Sequence, residues 1–121
     1  MDLGARMVTA CRALAVDLTE AGVPADVERG KVNPGGAWVA PQSIDLTTLG
    51  GDGTARVHVI LIAPDNGDLA SHLALTRLLD VCLSAPVSLV PAEPIDTGWA
   101  VVLPHSQTPF PAYRLPVDLD L

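Results

Sequence analysis

The chain has 121 residues, of which 49% are hydrophobic, only 3% aromatic and 17% charged. This composition predicts one domain with an aliphatic core and a surface poor in charge. The formal net charge of −7, with seven Lys and Arg residues in all, argues against a protein that binds nucleic acid by neutralising phosphates, because that affinity depends on clustered cations.

The first predicted element is an amphipathic helix over residues 3–21. Gly22 suits the left-handed position just past its end, and Pro24 prevents continuation. The N-terminus lacks the basic and apolar regions of a signal peptide, and no apolar run approaches the roughly 20 residues that span a bilayer. We therefore expect a cytosolic protein with no membrane partner. The apolar face recurs at steps of three and four residues and consists of Met7, Cys11, Leu14, Leu18 and Ala21.

Two β-hairpins are predicted next. In the first, residues 26–32 and 37–41 flank the sequence NPGG, where Pro followed by Gly suits the centre of a type II turn. In the second, a strand over residues 43–49 leads through a Gly-rich tip at residues 50–53 into the following strand. The tip is not a phosphate loop, because that motif requires GxxxxGK[ST] between a strand and a helix.

A long strand over residues 54–63 runs directly into a second helix, and this pair forms the predicted scaffold. One face of the strand is apolar throughout and the other becomes apolar halfway, as expected for a strand that starts at a rim and ends inside a sheet. Asp65 or Asn66 is expected to cap the helix, with Asp68 in its first turn, and Pro86 ends it. The broad apolar stripe of this helix consists of Leu69, Leu73, Leu75, Leu78, Leu79, Cys82 and Leu83.

The remaining chain predicts the strands that close the sheet. Residues 87–90 and 97–103 favour strands, and the three prolines of PFPAYRLP confine residues 110–117 to an edge strand or an extended segment. Residues 118–121 are expected to form a loose tail. Together the elements predict an α+β fold with a single mixed or antiparallel sheet of about five to seven strands and two main helices packed on one face.

The sequence contains no motif for catalysis, cofactor binding or metal binding, so we expect no enzyme. The histidines have no second His or Cys at the short spacing of a zinc site, and Ser71 and Ser106 lack a GxSxG context. Cys11 and Cys82, without CxxC spacing, are expected to be small core hydrophobes. The three histidines are His58, His72 and His105.

Several residues are instead candidates for contacts between subunits. Trp38 and Trp99 lie in otherwise aliphatic strands, and each suits either the core or the centre of an interface. The Gly-rich tip and the Pro-Gly turn add exposed loops that can reach a neighbouring subunit. The candidate interface residues are Pro34, Gly35, Trp38, Gly50, Gly51, Asp52, Gly53 and Trp99.

Three stretches, GVPADVERGKVNPGGAWVAP, RVHVILIAPDNG and VVLPHSQTPFPAYRLPV, occur in the order helix, hairpins, strand into helix and closing strands. With this order the chain resembles the small tail-terminator proteins of long-tailed bacteriophages, especially those that infect actinobacteria. The resemblance covers nearly the whole chain and rests on structural motifs. It implies an α/β fold and a homomeric ring, commonly hexameric, that caps the growing tail tube.

The same resemblance implies partners and a location. The partners are the tail tube protein and the head-completion or connector proteins, and the location is the head-proximal end of the tail in the virion, after assembly in the host cytoplasm. The acidic net charge fits a lumen along which DNA slides without sticking, because like charges repel, and no sequence-specific nucleic-acid binding is expected.

Two alternatives remain open. A head-to-tail joining or head-completion protein of the same particle has a similar size and symmetry. A small ligand-binding or enzymatic α+β domain is the alternative from a different class, with a cleft near Asp65, Asn66 and the start of the second helix, where an anion can meet free N–H groups.

Overall fold

A computed structural model describes residues 2–46 and 53–121. Across these residues the chain forms one mixed sheet of five strands and two α-helices, which confirms the predicted α+β class. The sheet order is β1-β2-β3-β5-β4, in which β1 and β2 are parallel and the other neighbours antiparallel. No helix in the described ranges is long and apolar enough to cross a membrane. The elements are α1 (Leu3–Glu20), β1 (Ala25–Asp26), β2 (Ala37–Asp45), β3 (Thr54–Ile62), α2 (Asp68–Leu83), β4 (Asp96–Val101) and β5 (Phe110–Asp120).

Strand β3 lies at the centre of the sheet. It pairs with β5 along its whole length on one side and with β2 from Thr54 to Leu61 on the other. Its odd-numbered side chains are buried in the larger of two hydrophobic clusters, which also contains side chains of both helices. The alternation predicted for this strand is therefore confirmed. The helix residues buried in this cluster are Cys11, Leu14, Ala15 and Leu18 from α1, and Leu75 and Cys82 from α2.

Helix α1 forms as predicted, and both of its ends are satisfied by local hydrogen bonds. At the start, Oδ1 of Asp2 accepts a hydrogen bond from the Ala5 N–H at 2.7 Å, a cap that typically contributes about 1 kcal/mol. At the end, Gly22 adopts a φ of 104°, and the Val23 N–H donates to the Leu18 carbonyl at 2.9 Å. This pattern is a Schellman motif, which requires a left-handed residue such as glycine.

The start of α2 differs from the prediction. Gly67 occupies the N-cap position without a side-chain hydrogen bond, so neither Asp65 nor Asn66 caps the helix. The buried Ser71 holds this turn instead: its hydroxyl donates to the Pro64 carbonyl at 2.8 Å and accepts from the Asn66 N–H at 3.2 Å. A buried hydroxyl needs both partners, and this pair ties the helix to the end of β3.

The predicted first hairpin is wrong, although its turn is confirmed. Strand β1 has only two residues and pairs with β2 in parallel, with Ala25 opposite Ala37. Gly35 has a φ of 96°, and the Gly36 N–H donates to the Asn33 carbonyl, as in a type II turn. The Gly35 N–H also donates to the Ile62 carbonyl at 2.7 Å. This hydrogen bond holds the turn against the end of β3. The turn therefore leads into β2 and does not connect two antiparallel strands as a hairpin turn would.

The second hairpin is confirmed, since β2 and β3 are antiparallel with Asp45 opposite Thr54. Residues 37–45, which the sequence divides between two predicted strands, form one strand, β2, with a register shift between Pro41 and Ser43. Residues 47–49 of the predicted strand and residues 50–52 of the predicted tip lie outside the described residues.

The end of the chain corrects three predictions. Residues 87–90 are not a strand, because Ser88 and Leu89 donate hydrogen bonds back to carbonyls at the end of α2. Strand β5 lies between β3 and β4 and is not at an edge. The predicted loose tail at residues 118–121 largely belongs to β5, which runs to Asp120, and Leu121 donates to the Gly53 carbonyl. The strand predicted at residues 97–103 is confirmed as β4.

The prolines of β5 are tolerated because their nitrogens face positions where no strand needs a donor. The Pro111 carbonyl accepts from Ala63, one residue beyond the end of β3. The Pro116 carbonyl accepts from Ala92, where β4 does not reach. Since the nitrogen and carbonyl of a strand residue point to the same side, neither proline removes a bond between strands.

Gly36→Ala should destabilise the fold. A Cβ at this position would lie 2.4 Å from the Pro24 carbonyl oxygen, so the backbone would have to move, at a cost of about 1–3 kcal/mol. Urea denaturation would measure the free energy of unfolding. Gly30→Ala is the matched control, because its Cβ would meet only a Pro104 carbon at 4.0 Å. Equal stabilities of the two variants would contradict the prediction.

Both cysteines should resist alkylation in the native protein. Cys11 and Cys82 are free and buried, as predicted from the sequence. Burial raises the pKa of both thiols, and that of Cys82 to about 11, so little reactive thiolate forms near neutral pH. Mass spectrometry after iodoacetamide treatment should find both thiols unmodified until denaturant is added. Rapid labelling of Cys82 in folded protein would contradict this packing.

Candidate functional site

The second hydrophobic cluster lies on the even-numbered face of the sheet, defined as the side of β3 that carries Arg56, His58, Ile60 and Ile62. Trp38 and Trp99 are half-buried, and both pack against this cluster. The buried members of the cluster are Val32, Ala40, Ile60, Ile62, Val101, Leu103 and Ala112.

Each tryptophan also contacts an arginine. The guanidinium carbon of Arg29 lies 5.8 Å from the Trp38 ring centroid, and that of Arg114 lies 5.6 Å from the Trp99 ring centroid, within range of a cation–π interaction. Trp38 also donates its Nε1–H to the Val27 carbonyl at 3.2 Å. The sequence left open whether each tryptophan belongs to the core or to an interface. In the structure each ring packs against the smaller cluster and also keeps part of its surface exposed. Their role in a subunit contact stays a prediction.

The other predicted interface residues lie at opposite ends of β3. Pro34 and Gly35 lie beside Ile62, at the same end as Trp99. Gly53 precedes Thr54 at the other end, roughly 25 Å away at the rise of a strand. Gly50, Gly51 and Asp52 lie outside the described residues. The sequence-predicted residues thus do not form one site.

Charged side chains form a row next to the smaller cluster. Arg56 contacts Asp118 at 2.6 Å and Glu93 at 3.1 Å, and Arg114 contacts Asp96 at 3.6 Å. These ion pairs join β3, β4, β5 and the loop before β4. Both arginines are occupied by carboxylates, so this row acts mainly as a contact between elements.

His58 lies within this row and its titration is perturbed. Burial lowers its pKa, the positive charges of Arg114 and Arg56 lower it further, and Glu93 acts in the opposite direction. The neutral imidazole is thus the form that the folded protein favours.

A groove of about 370 Å³ runs between the start of α2 and strand β4. We call it the β4 groove. One wall carries Asp65, Asp68 and His72, and the β4 strand and the start of β5 supply aromatic side chains. The buried Tyr113 places its hydroxyl 2.9 Å from Nε2 of His72, and the two rings meet edge to face with centroids 5.3 Å apart. The aromatic lining residues are Trp99, Phe110 and Tyr113.

The chemistry of the β4 groove favours a cation. Asp65 and Asp68 are both exposed and line it, whereas His72 is the one basic residue among its lining residues. Carboxylates beside aromatic rings suit a guanidinium or an ammonium group. The anion expected near Asn66 is disfavoured, because its N–H donates to Ser71 and the nearest side chains are acidic.

A second opening of about 650 Å³ lies at the opposite edge of the sheet, between α1 and β1. We call it the β1 cleft. Its walls carry two cations and three carboxylates, which are Arg12, Lys31, Glu20, Asp26 and Glu28. Lys31 pairs with Glu28 at 3.3 Å, whereas Arg12 forms no ion pair within the part of the chain that the structure describes.

Both helices also expose apolar side chains. On α2, the side chains of Leu69 and Leu73 are 74% and 47% exposed, and on α1 those of Val8 and Val16 are 42% and 54% exposed. The apolar stripe predicted for α2 is therefore wider than the part that the core covers. These side chains add apolar area to the surface of both helices.

No protein-family model matches this chain, and a search of the curated proteins finds no match. Across the described ranges, no group of three or more His, Cys, Asp or Glu residues is placed to hold a metal ion. The surfaces that stand out are therefore the β4 groove, the β1 cleft and the exposed helix faces. Sequence reasoning placed a cleft near Asp65 at the start of α2 but did not find its other wall, because Trp99 and Tyr113 reach the groove only through the strand order.

Lowering the pH should destabilise the protein partly through His58. The unfolded chain binds a proton with an ordinary pKa of about 6.5, whereas the folded pKa is lower. Below about pH 6.5 the unfolded state therefore binds more protons, and stability falls with pH until the folded pKa is passed. His58→Gln should lose less unfolding free energy between about pH 7.5 and 5.5 than the parent protein. Equal losses in urea denaturation would contradict this assignment.

Proposed function

We propose that this chain is a structural protein of a long-tailed bacteriophage that assembles as a homomeric ring on the head-proximal end of the tail tube. There it stops tube polymerisation and presents the surface that joins the tail to the head. Its contribution is binding energy between subunits and partners and not catalysis.

The observation that carries this proposal is the pair of unlike openings at opposite edges of one sheet. A ring of identical subunits needs two different, complementary surfaces on each subunit, because each contact is head-to-tail. The β4 groove offers exposed carboxylates at one edge and is also lined by aromatic residues. The β1 cleft at the other edge offers Arg12 and an exposed Val16, together with carboxylates of which Glu28 is paired with Lys31.

Two further features support the assembly role. The exposed leucines of α2 and valines of α1 provide apolar surface of the kind that contacts between subunits cover. The three stretches that carry the resemblance fall on β1 to the start of β2, on β3 with its following turn, and on the end of β4 with β5. The resemblance therefore rests on the residues that build the sheet and its edges.

A small-ligand-binding domain is the second candidate, and the β4 groove favours it. A volume of about 370 Å³ lies in the range of small-molecule sites. The acidic rim and aromatic lining would suit a small amine. A head-to-tail joining protein would use the same two edges. Binding to the tail tube protein is therefore the property that distinguishes a terminator from a joining protein.

Light scattering of the pure protein should therefore measure a mass several times the 12.6 kDa of one chain. A hexamer would have six times the mass of one chain. Mixed with the matching tail tube protein, it should produce short tubes capped at one end, visible by electron microscopy. A ring that ignores the tube protein would favour the joining-protein alternative. A monomer both alone and in the mixture would contradict the proposal.

A further inference from the structure

We propose that adjacent copies of this chain meet with the β4 groove of one copy around Arg12 on helix α1 of the next, where Arg12 pairs with Asp65 and Asp68. This inference rests on the proposed ring and names the surfaces that form its repeating contact. The occupant of the β4 groove is thus a second copy of this chain.

The groove is suited to a long cationic side chain. Asp65 and Asp68 are exposed at one wall, and neither forms an ion pair within the described residues. Trp99 and Phe110 are half-buried and also line the groove, and the Trp99 ring already has Arg114 on one side. An arginine fits such a site, because its guanidinium stacks on aromatic rings and binds carboxylates through two parallel hydrogen bonds.

Arg12 is the cation of this chain best placed to enter the groove. Most of the seven Lys and Arg residues are already engaged: Lys31 pairs with Glu28, Arg29 stacks on Trp38, and Arg6 has an interaction of its own. The two arginines of the even-numbered face pair with carboxylates there. Arg12 and Arg77 remain.

The surroundings of Arg12 match the groove, and its position matches a ring. Val8 and Val16 lie one helical turn before and after Arg12, and both are exposed, so α1 offers an apolar–cationic–apolar row about 12 Å long. Arg12 and Val16 line the β1 cleft, at the sheet edge opposite β4. A contact between opposite edges leaves both surfaces free at the ends of every open chain, which is how head-to-tail assembly continues until it closes.

Arg77 would produce a different assembly. It is exposed on α2, the same helix that carries Asp68. If a contact from Arg77 of one copy to the groove of another is made in both directions, it brings two α2 helices together around a two-fold axis. Such a contact is the same on both partners and stops at a dimer.

The test uses charge exchange in the full chain, with mass measured by analytical ultracentrifugation over a range of concentrations. Arg12→Glu alone, and Asp65→Arg with Asp68→Asn, should each weaken assembly by roughly tenfold or more, because each leaves like or unpaired charges at the contact. The chain that combines all three substitutions should assemble again, since the carboxylate on α1 would then face the guanidinium in the groove. Arg77→Glu is the matched control and should assemble like the parent protein. Circular dichroism and thermal unfolding establish that each variant is folded.

The alternative outcomes separate this contact from the proposed function. If the parent protein forms rings and Arg12→Glu forms them equally well, the contact is wrong and the ring proposal stands. If Arg77→Glu disrupts assembly and Arg12→Glu does not, a two-fold contact through α2 replaces it. If the groove variant assembles normally but no longer binds the tube protein, the groove holds that partner and not a second copy. A parent protein that stays monomeric alone and with the tube protein overturns both proposals.

Discussion

The fold depends on the burial of β3 between β2 and β5. Each of its residues from Thr54 to Ile62 has a partner on β5, and its odd-numbered side chains meet residues of both helices in one cluster. Burial of these aliphatic side chains stabilises the fold, at about 25 cal/mol per Å² of apolar surface buried. The neighbouring elements acquire their positions from this strand: Gly35 hydrogen-bonds to its last residue, and Gly53 anchors Leu121 beside its first.

The order of strands also decides where chemistry accumulates. Because β5 separates β3 from β4, the outer strand β4 lies far from β1, and the two edges of the sheet differ in composition. Both edges carry carboxylates, but the β4 edge adds aromatic residues, whereas the β1 edge adds a helix whose Arg12 forms no ion pair among the described residues. The proposed function and the proposed contact both follow from this asymmetry. The ion pairs of Arg56 and Arg114 lie between the edges and hold elements of the same chain together.

Periodicity predicted the elements whose burial follows a regular pattern, and it failed where distant contacts decide. Apolar residues recur regularly in helix α1, strand β3 and the body of α2, so the sequence alone was sufficient to predict these elements. The first hairpin failed because the Gly35–Ile62 hydrogen bond joins residues far apart in sequence. Strand β5 was misplaced because prolines are usually at an edge, and only its neighbours reveal that its missing donors are not needed. Of the candidate site, the tryptophans were predictable from their rarity, but the β4 groove was not, because Asp65, Trp99 and Tyr113 converge only in the folded sheet.

The interior position of β5 has a consequence for the order in which the protein folds. Strand β4 is made before β5 but has no neighbour in the sheet until β5 is in place. Paired residues of β3 and β5 are about 50 to 66 positions apart in sequence. The loop that must close is therefore long, and its closure is a slow step. Until β5 has paired, the walls of the β4 groove that β4 and β5 supply are not formed. The edge that the proposed contact uses is therefore formed only once β5 has paired with both β3 and β4, so the proposed association would have to follow folding.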